Sequence, residues 1–151
     1  MLINPITLHQ RIQAAIKETP KIVRETLISN HLEKVNIDNL QQGLDSEGQD
    51  MPFYSNSEYG YEKMMSNPRN RGHWDLKNTG QYYSGIKYRI SANKLKFYQQ
   101  FSNKKTKWID TMMEKANRIP LGISKEEFIE IQIKNKPIIR TRILNKINNG
   151  M

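Results

Sequence analysis

The fold is decided by the stretch Gln81-Tyr82-Tyr83-Ser84-Gly85-Ile86-Lys87-Tyr88-Arg89-Ile90-Ser91-Ala92-Asn93-Lys94-Leu95-Lys96-Phe97-Tyr98-Gln99-Gln100-Phe101. Its side chains repeat with a period of two. Tyr82, Ser84, Ile86, Tyr88 and Ile90 fall on one side, and Tyr83, Gly85, Lys87, Arg89 and Ser91 on the other, the alternation of a half-buried strand. Ser91-Ala92-Asn93-Lys94 supplies a turn, after which Leu95, Phe97, Gln99 and Phe101 alternate with Lys96, Tyr98 and Gln100. The pattern predicts an antiparallel β-hairpin over about 81–101 with one apolar face and one basic, aromatic face.

Outward from the hairpin the period changes to that of helices. Thr7-Leu8-His9-Gln10 reads as a capping box, followed by Leu8, Ile12, Ala15 and Ile16 at helical spacing. Thr19-Pro20 predicts a stop and a new start, because proline suits a first helical position. Ile28, Leu32 and Val35 give the second helix its stripe, with Leu40 as its furthest reach. Gly43 to Pro52 is a break rich in turn formers, Met51–Tyr54 a candidate short strand, Ser57–Met65 a short helix weakened at Gly60, and Asn67–Gly72 a loop. Thr106–Asn117 reads as a helix presenting Trp108, Met112 and Ala116, ended by Ile119-Pro120-Leu121-Gly122. Ser124-Lys125-Glu126-Glu127 opens a final helix in which Pro137 is expected to cause a kink or interruption. Beyond Pro137, Ile139, Ile143 and Ile147 continue an apolar stripe beside Arg140, Arg142 and Lys146. The fold class is therefore α+β, a small antiparallel sheet packed with helices, with long helices at both ends. One domain is expected over 1–151, with 1–38 a candidate helical arm.

Hydrophobic residues make up only 36% of the chain. That share suits a thin subunit completed by neighbours better than an enzyme with a deep apolar cavity. Cysteine is absent, which removes disulfides, thiolate zinc sites and cysteine nucleophiles. Met1–Ile6 is too short an apolar stretch for a signal peptide, and no membrane-spanning run occurs, so a soluble protein is expected. The net charge of +9 is polarised: residues 1–68 hold six Lys/Arg against nine Asp/Glu, and residues 69–151 hold eighteen against six. Such asymmetry fits nucleic-acid contact or packing of acidic on basic surfaces.

A catalytic or metal constellation does not emerge. His9 and His31 lack ligands at helical spacing and read as surface or boundary residues. His73-Trp74-Asp75 places an imidazole near a carboxylate, the basis of a minor alternative as a metal-dependent nuclease, but without a second ligand pattern or nucleophile it reads as loop structure. Asp45–Asp50 lacks the alternating ligands of a calcium loop. The basic positions Arg69, Arg71, Lys87, Arg89, Lys96, Lys104, Lys105 and Lys107 are candidates to face DNA or a protein partner, with Tyr83 and Tyr98 available for base stacking.

One segment carries a resemblance. Leu40-Gln41-Gln42-Gly43-Leu44-Asp45-Ser46-Glu47-Gly48-Gln49, then Tyr54, Tyr59 and Lys63, then Trp74-Asp75-Leu76-Lys77-Asn78-Thr79-Gly80-Gln81-Tyr82-Tyr83, and later Ile119-Pro120-Leu121-Gly122-Ile123-Ser124, resembles the small neck and tail-completion proteins of tailed bacteriophages, over roughly residues 40–130. The resemblance implies a ring-forming, non-enzymatic virion subunit between portal or connector and tail. Its expected partners are copies of itself and the adjoining virion proteins, with transient DNA contact in the lumen, and it takes no cofactor or metal. It also implies that the motif residues Asp45, Gly48, Asp75, Thr79 and Gly80 are architectural, Gly80 bending the backbone into the strand and Thr79 holding that bend. Particles of this kind are assembled in the host cytoplasm. The rival reading, from the residues alone, is a nucleic-acid-binding module built on the basic region 69–151.

Overall fold

The computed structural model of the chain describes residues 4–91 and 94–149. It is an α+β fold in the order α1 (Pro5–Ile28), α2 (Leu32–Gln41), α3 (Glu58–Ser66), a 3-10 turn (Pro68–Asn70), α4 (Gln81–Ser84), β1 (Ile86–Ser91), β2 (Lys94–Gln99), α5 (Lys104–Lys115) and α6 (Lys125–Asn149). Contacts divide the chain into two compact units. One is residues 1–31 with 128–151; the other is residues 32–127. The boundary between the two units falls between His31 and Leu32 and between Glu127 and Phe128.

The first unit is a helical hairpin. Asn135 Nδ2 donates to Asn30 Oδ1, Arg142 reaches Glu25 at 2.7 Å, Lys146 reaches Glu18 at 2.9 Å, and Arg11 donates to the Asn148 carbonyl. Partners fall in one helix as they rise in the other, so α1 and α6 run antiparallel. Neither proline ends its helix. α1 continues through Pro20 and α6 through Pro137, although an interior proline costs about 3 kcal/mol. Both lie between interhelical contacts: Glu18 and Glu25 flank Pro20, and Asn135 and Arg142 flank Pro137. α1 also starts earlier than the Thr7 capping box, because Asn4 caps it by accepting from the Ile6 amide and Pro5 sits at the first helical position.

In the second unit the core is Leu40, Met51, Tyr82, Tyr83, Ile86, Ile109 and Met113. β1 and β2 pair antiparallel from Ile86↔Gln99 to Ser91↔Lys94. Ile86, Tyr88, Ile90, Leu95, Phe97 and Gln99 point to the buried side, and Lys87, Arg89, Lys96 and Tyr98 to the exposed one. The expected turn at Ser91–Lys94 includes Ala92 and Asn93, which lie outside the described residues.

The hairpin begins later than its periodicity implied. Gln81–Ser84 is a turn of helix entered through Gly80, whose φ of 82° is left-handed. Tyr82 and Tyr83 are both buried, which continuation of this half-exposed strand would not allow for consecutive residues. Tyr83 Oη donates to the Asp75 carbonyl, while Gln99 Nε2 donates to the Tyr82 carbonyl at 2.8 Å. Met51–Tyr54 is not a strand either; it contributes a single bridge, Phe53↔His73. On α5 the buried stripe is Thr106, Ile109 and Met113, whereas Trp108 is 60% exposed. The Asn103–Thr106 capping box, with Thr106 Oγ1 also donating to the Phe101 carbonyl, fixes the rotation at which α5 starts. The final helix opens as expected: Glu127 N donates to Ser124 Oγ and Ser124 N to Glu127 Oε2.

α3 is seated by its glycine. Gly60 is its buried residue, and a Cβ there would lie 2.0 Å from the Ser55 carbonyl oxygen. That obstacle is backbone and cannot rotate away. Gly60→Ala is therefore expected to destabilise the protein by about 1–3 kcal/mol, read as a lower midpoint in chemical denaturation at unchanged slope.

Candidate interaction surfaces

Asp75 is the most heavily bonded carboxylate of the second unit. Its side chain, 1% exposed, accepts from Tyr54 Oη at 2.8 Å, Asn67 Nδ2 at 3.0 Å and the Lys77 amide at 3.0 Å, and pairs with Lys63 Nζ at 3.0 Å. Burial alone would raise its pKa; the bonds from Asn67, Lys63, Tyr54 and the Lys77 amide outweigh that and hold it below the ordinary carboxylate range. Burial, and then the bond to Asp75, push the Tyr54 hydroxyl upward, so it stays a donor. Tyr54, Asn67, Lys63 and the Lys77 amide thus converge on one carboxylate and tie four segments together.

The other motif residues are equally occupied. Asp45 Oδ1 accepts from the amides of Glu47 and Gln49, and Gly48 closes the turn at φ 76°. Thr79 Oγ1 accepts from the Gln81 amide at 3.4 Å, beside left-handed Gly80. His73 is buried, its Nδ1 bonded to the Met51 carbonyl and its ring stacked on Phe53 at 4.0 Å between centroids. Its imidazole makes no contact with the Asp75 carboxylate among these bonds, so adjacency in sequence does not become a catalytic pair. His9 and His31 are exposed. Among the described residues, no group of three or more His, Asp or Glu side chains is arranged to hold a metal.

The basic positions separate into two kinds. Arg69 is held by Asp38 at 2.7 Å and Arg71 by Asp50 at 2.7 Å, both as exposed pairs. Lys87, Arg89 and Lys96 share the exposed hairpin face, and among the described residues none of them is in an ion pair. Register sets Arg89 directly opposite Lys96, an arrangement of like charges that weakens a sheet, and Lys87 opposite Tyr98. Tyr98, 38% exposed, lies on this face, but the buried Tyr83 does not and cannot stack on a base there. Lys104, Lys105 and Lys107 occupy the first turn of α5, which has no acidic residue. The positive end of the helix dipole opposes that placement as well.

A surface without any mark in the alternation is α3. Tyr59, Tyr61, Met64 and Met65 are 46–65% exposed, and nearby in sequence Phe53 is 68% exposed. The one available signal was compositional: two tyrosines and two methionines crowd a nine-residue helix whose buried contact is glycine. Isolated exposed apolar side chains are ordinary, but several on one short element mark a contact surface.

Two measurements check these assignments. Asp75→Asn leaves the half-buried Lys63 without its counter-charge and removes a buried acceptor, and a loss of about 3 kcal/mol is expected in equilibrium unfolding. Because the folded pKa of Asp75 is depressed, its contribution is present above the unfolded carboxylate pKa of about 4 and is lost as pH falls below it. The acid limb of the stability–pH curve should therefore flatten in Asp75→Asn. Lys96→Glu, by contrast, replaces a like-charge pair with an opposite one and should stabilise the hairpin by roughly 0.2–1 kcal/mol, a gain that would mark Lys96 as retained for contact and not for folding. Comparison of the chain with protein-family models, curated proteins and solved structures found no match.

Proposed function

We propose that this chain is a non-enzymatic assembly subunit, a ring-forming neck or tail-completion protein of a tailed phage that joins portal or connector to tail. The observation that carries the assembly role is the exposed apolar face that Tyr61, Met64 and Met65 form on α3, with Tyr59 exposed on another side of the same helix. Such a face is stable in water only at a cost that a neighbouring subunit removes on docking. Support also comes from the motif residues, since Asp45, Asp75, Thr79 and Gly80 all serve local structure. The phage assignment itself rests on the sequence resemblance over residues 40–130.

A ring needs a heterologous contact, in which two different surfaces of adjacent copies meet. α3 supplies one apolar surface with Glu58 and Glu62 exposed on it, and the lysines of the hairpin and of α5, in no ion pair among the described residues, supply an opposite charge. A nucleic-acid-binding module is the second reading, favoured by the same unneutralised cations on the hairpin face. A DNA lining of that kind has to be weak, since dense phosphate contacts would arrest passage.

Mass spectrometry and electron imaging of purified particles from cells that produce this chain test the proposal. The chain is expected at fixed stoichiometry in the neck or tail. Tyr61→Ser with Met65→Ser should reduce incorporation at least several-fold without altering the unfolding midpoint, both side chains being exposed. A chain absent from particles, with DNA affinity falling steeply as salt rises, would favour the nucleic-acid module instead.

A further inference from the structure

The sheet has only two strands, so each has an outer edge. The Gln100 amide donates to the Gly85 carbonyl, which makes Gly85↔Gln100 a hydrogen-bonded pair of the ladder. Pairs alternate between bonded and non-bonded in an antiparallel ladder. With Ile86↔Gln99 next in register, the bonded pairs are therefore Lys87↔Tyr98, Arg89↔Lys96 and Ser91↔Lys94. On β2 the backbone groups of Leu95, Phe97 and Gln99 point away from β1. No main-chain bond outside the sheet is made by these three residues among the described residues. The other strand, β1, is contacted by α2.

The free edge of β2 borders a groove of about 590 Å³ lined by Leu95, Lys96, Phe97, Leu121, Ile123 and Glu126, among others. Side chains of consecutive strand residues point to opposite faces. A cavity touching Leu95, Lys96 and Phe97 together therefore meets the strand at its edge. Natural edges of this kind are usually covered or blunted, because they template pairing with another chain.

We infer that the outer edge of β2 receives an extended segment of a partner protein as a third strand, with apolar residues alternating with acidic ones. Main-chain bonds to Leu95, Phe97 and Gln99 supply the affinity, as in strand addition generally. Side-chain alternation supplies the specificity. Partner residues on the inner side meet Leu95, Phe97 and Leu121, which are half-buried, and call for apolar groups. Those on the outer side neighbour Lys94 and Lys96, exposed and without ion pairs among the described residues, and call for carboxylates. Glu47, Lys125 and Glu126 line the groove as well, on the wall away from the strand. A second copy of β2 is the wrong occupant, because Lys94–Gln99 holds two lysines and no carboxylate to meet Lys94 and Lys96. The inference stands on the edge geometry and survives if the particle assignment fails.

The full chain is titrated with a short peptide alternating valine and glutamate, and amide exchange is followed residue by residue. Binding is expected to protect the Leu95, Phe97 and Gln99 amides, while Lys96 and Tyr98, already bonded to β1, change little. Methylating the peptide nitrogens that face β2 should weaken binding by at least about tenfold, the loss of one or two buried hydrogen bonds, and methylating the alternate nitrogens should not. Lys96→Glu should weaken this peptide and strengthen a valine–lysine one. Absence of binding, binding without protection at those amides, or indifference to methylation overturns the proposal. So does protection of the same amides by single-stranded DNA in place of the peptide, or by the chain itself as its concentration rises. The peptide arms leave the protein unaltered, so misfolding of a variant cannot mimic failure.

Discussion

The second unit is organised around a buried negative charge. An ionised carboxylate that is 1% exposed persists only where its desolvation is offset by donors, and Asp75 has four: a phenol, an amide side chain, a backbone amide and an ammonium. Those donors come from the segment before α3, from α3 itself, from its C-cap and from the loop beyond. One atom pair thus fixes where α3 lies. Tyr83 adds a bond to the Asp75 carbonyl, drawing the start of the hairpin onto the same point. Because the donors at Lys63 and Asn67 and the close approach at Gly60 settle which side of α3 faces inward, its tyrosines and methionines are left facing water.

Charge tells a second story across the same unit. The loop arginines are neutralised in exposed pairs of modest energetic worth, whereas the hairpin cations are arranged to repel one another. A sheet of two strands is marginal by itself, so a repulsive cross-strand pair is an arrangement that folding alone does not reward. It is compatible with a surface completed by carboxylates or phosphates from elsewhere, and it discourages indiscriminate pairing of the bare edge. The helical hairpin of α1 and α6 obeys different logic. Its long helices survive two interior prolines because interhelical bonds on both sides of each hold the ladder in place.

What the amino-acid sequence determined is everything that depends on short-range periodicity and local capping. The alternation Ile86–Ile90 and Leu95–Gln99, the Ser57 and Ser124 helix starts and the turn at Asp45–Gly48 follow from neighbours within a few residues, where sterics and one or two hydrogen bonds decide. What only the tertiary structure decided is where long-range energies outweigh those preferences. Tyr82 and Tyr83 fit the strand pattern, yet both are buried in a helical turn, where Asp75 holds the Tyr83 hydroxyl and Gln99 the Tyr82 carbonyl. Pro20 and Pro137 signal helix ends, yet contacts across the helix pair carry the helices past them. Trp108 fits an apolar stripe, yet the Thr106 cap rotates it outward. The α3 surface left only a compositional trace in the letters, and the open edge of β2 none, for a related reason: both are defined by what fails to pack against them, and that is a property of the folded arrangement of many residues, not of any local run.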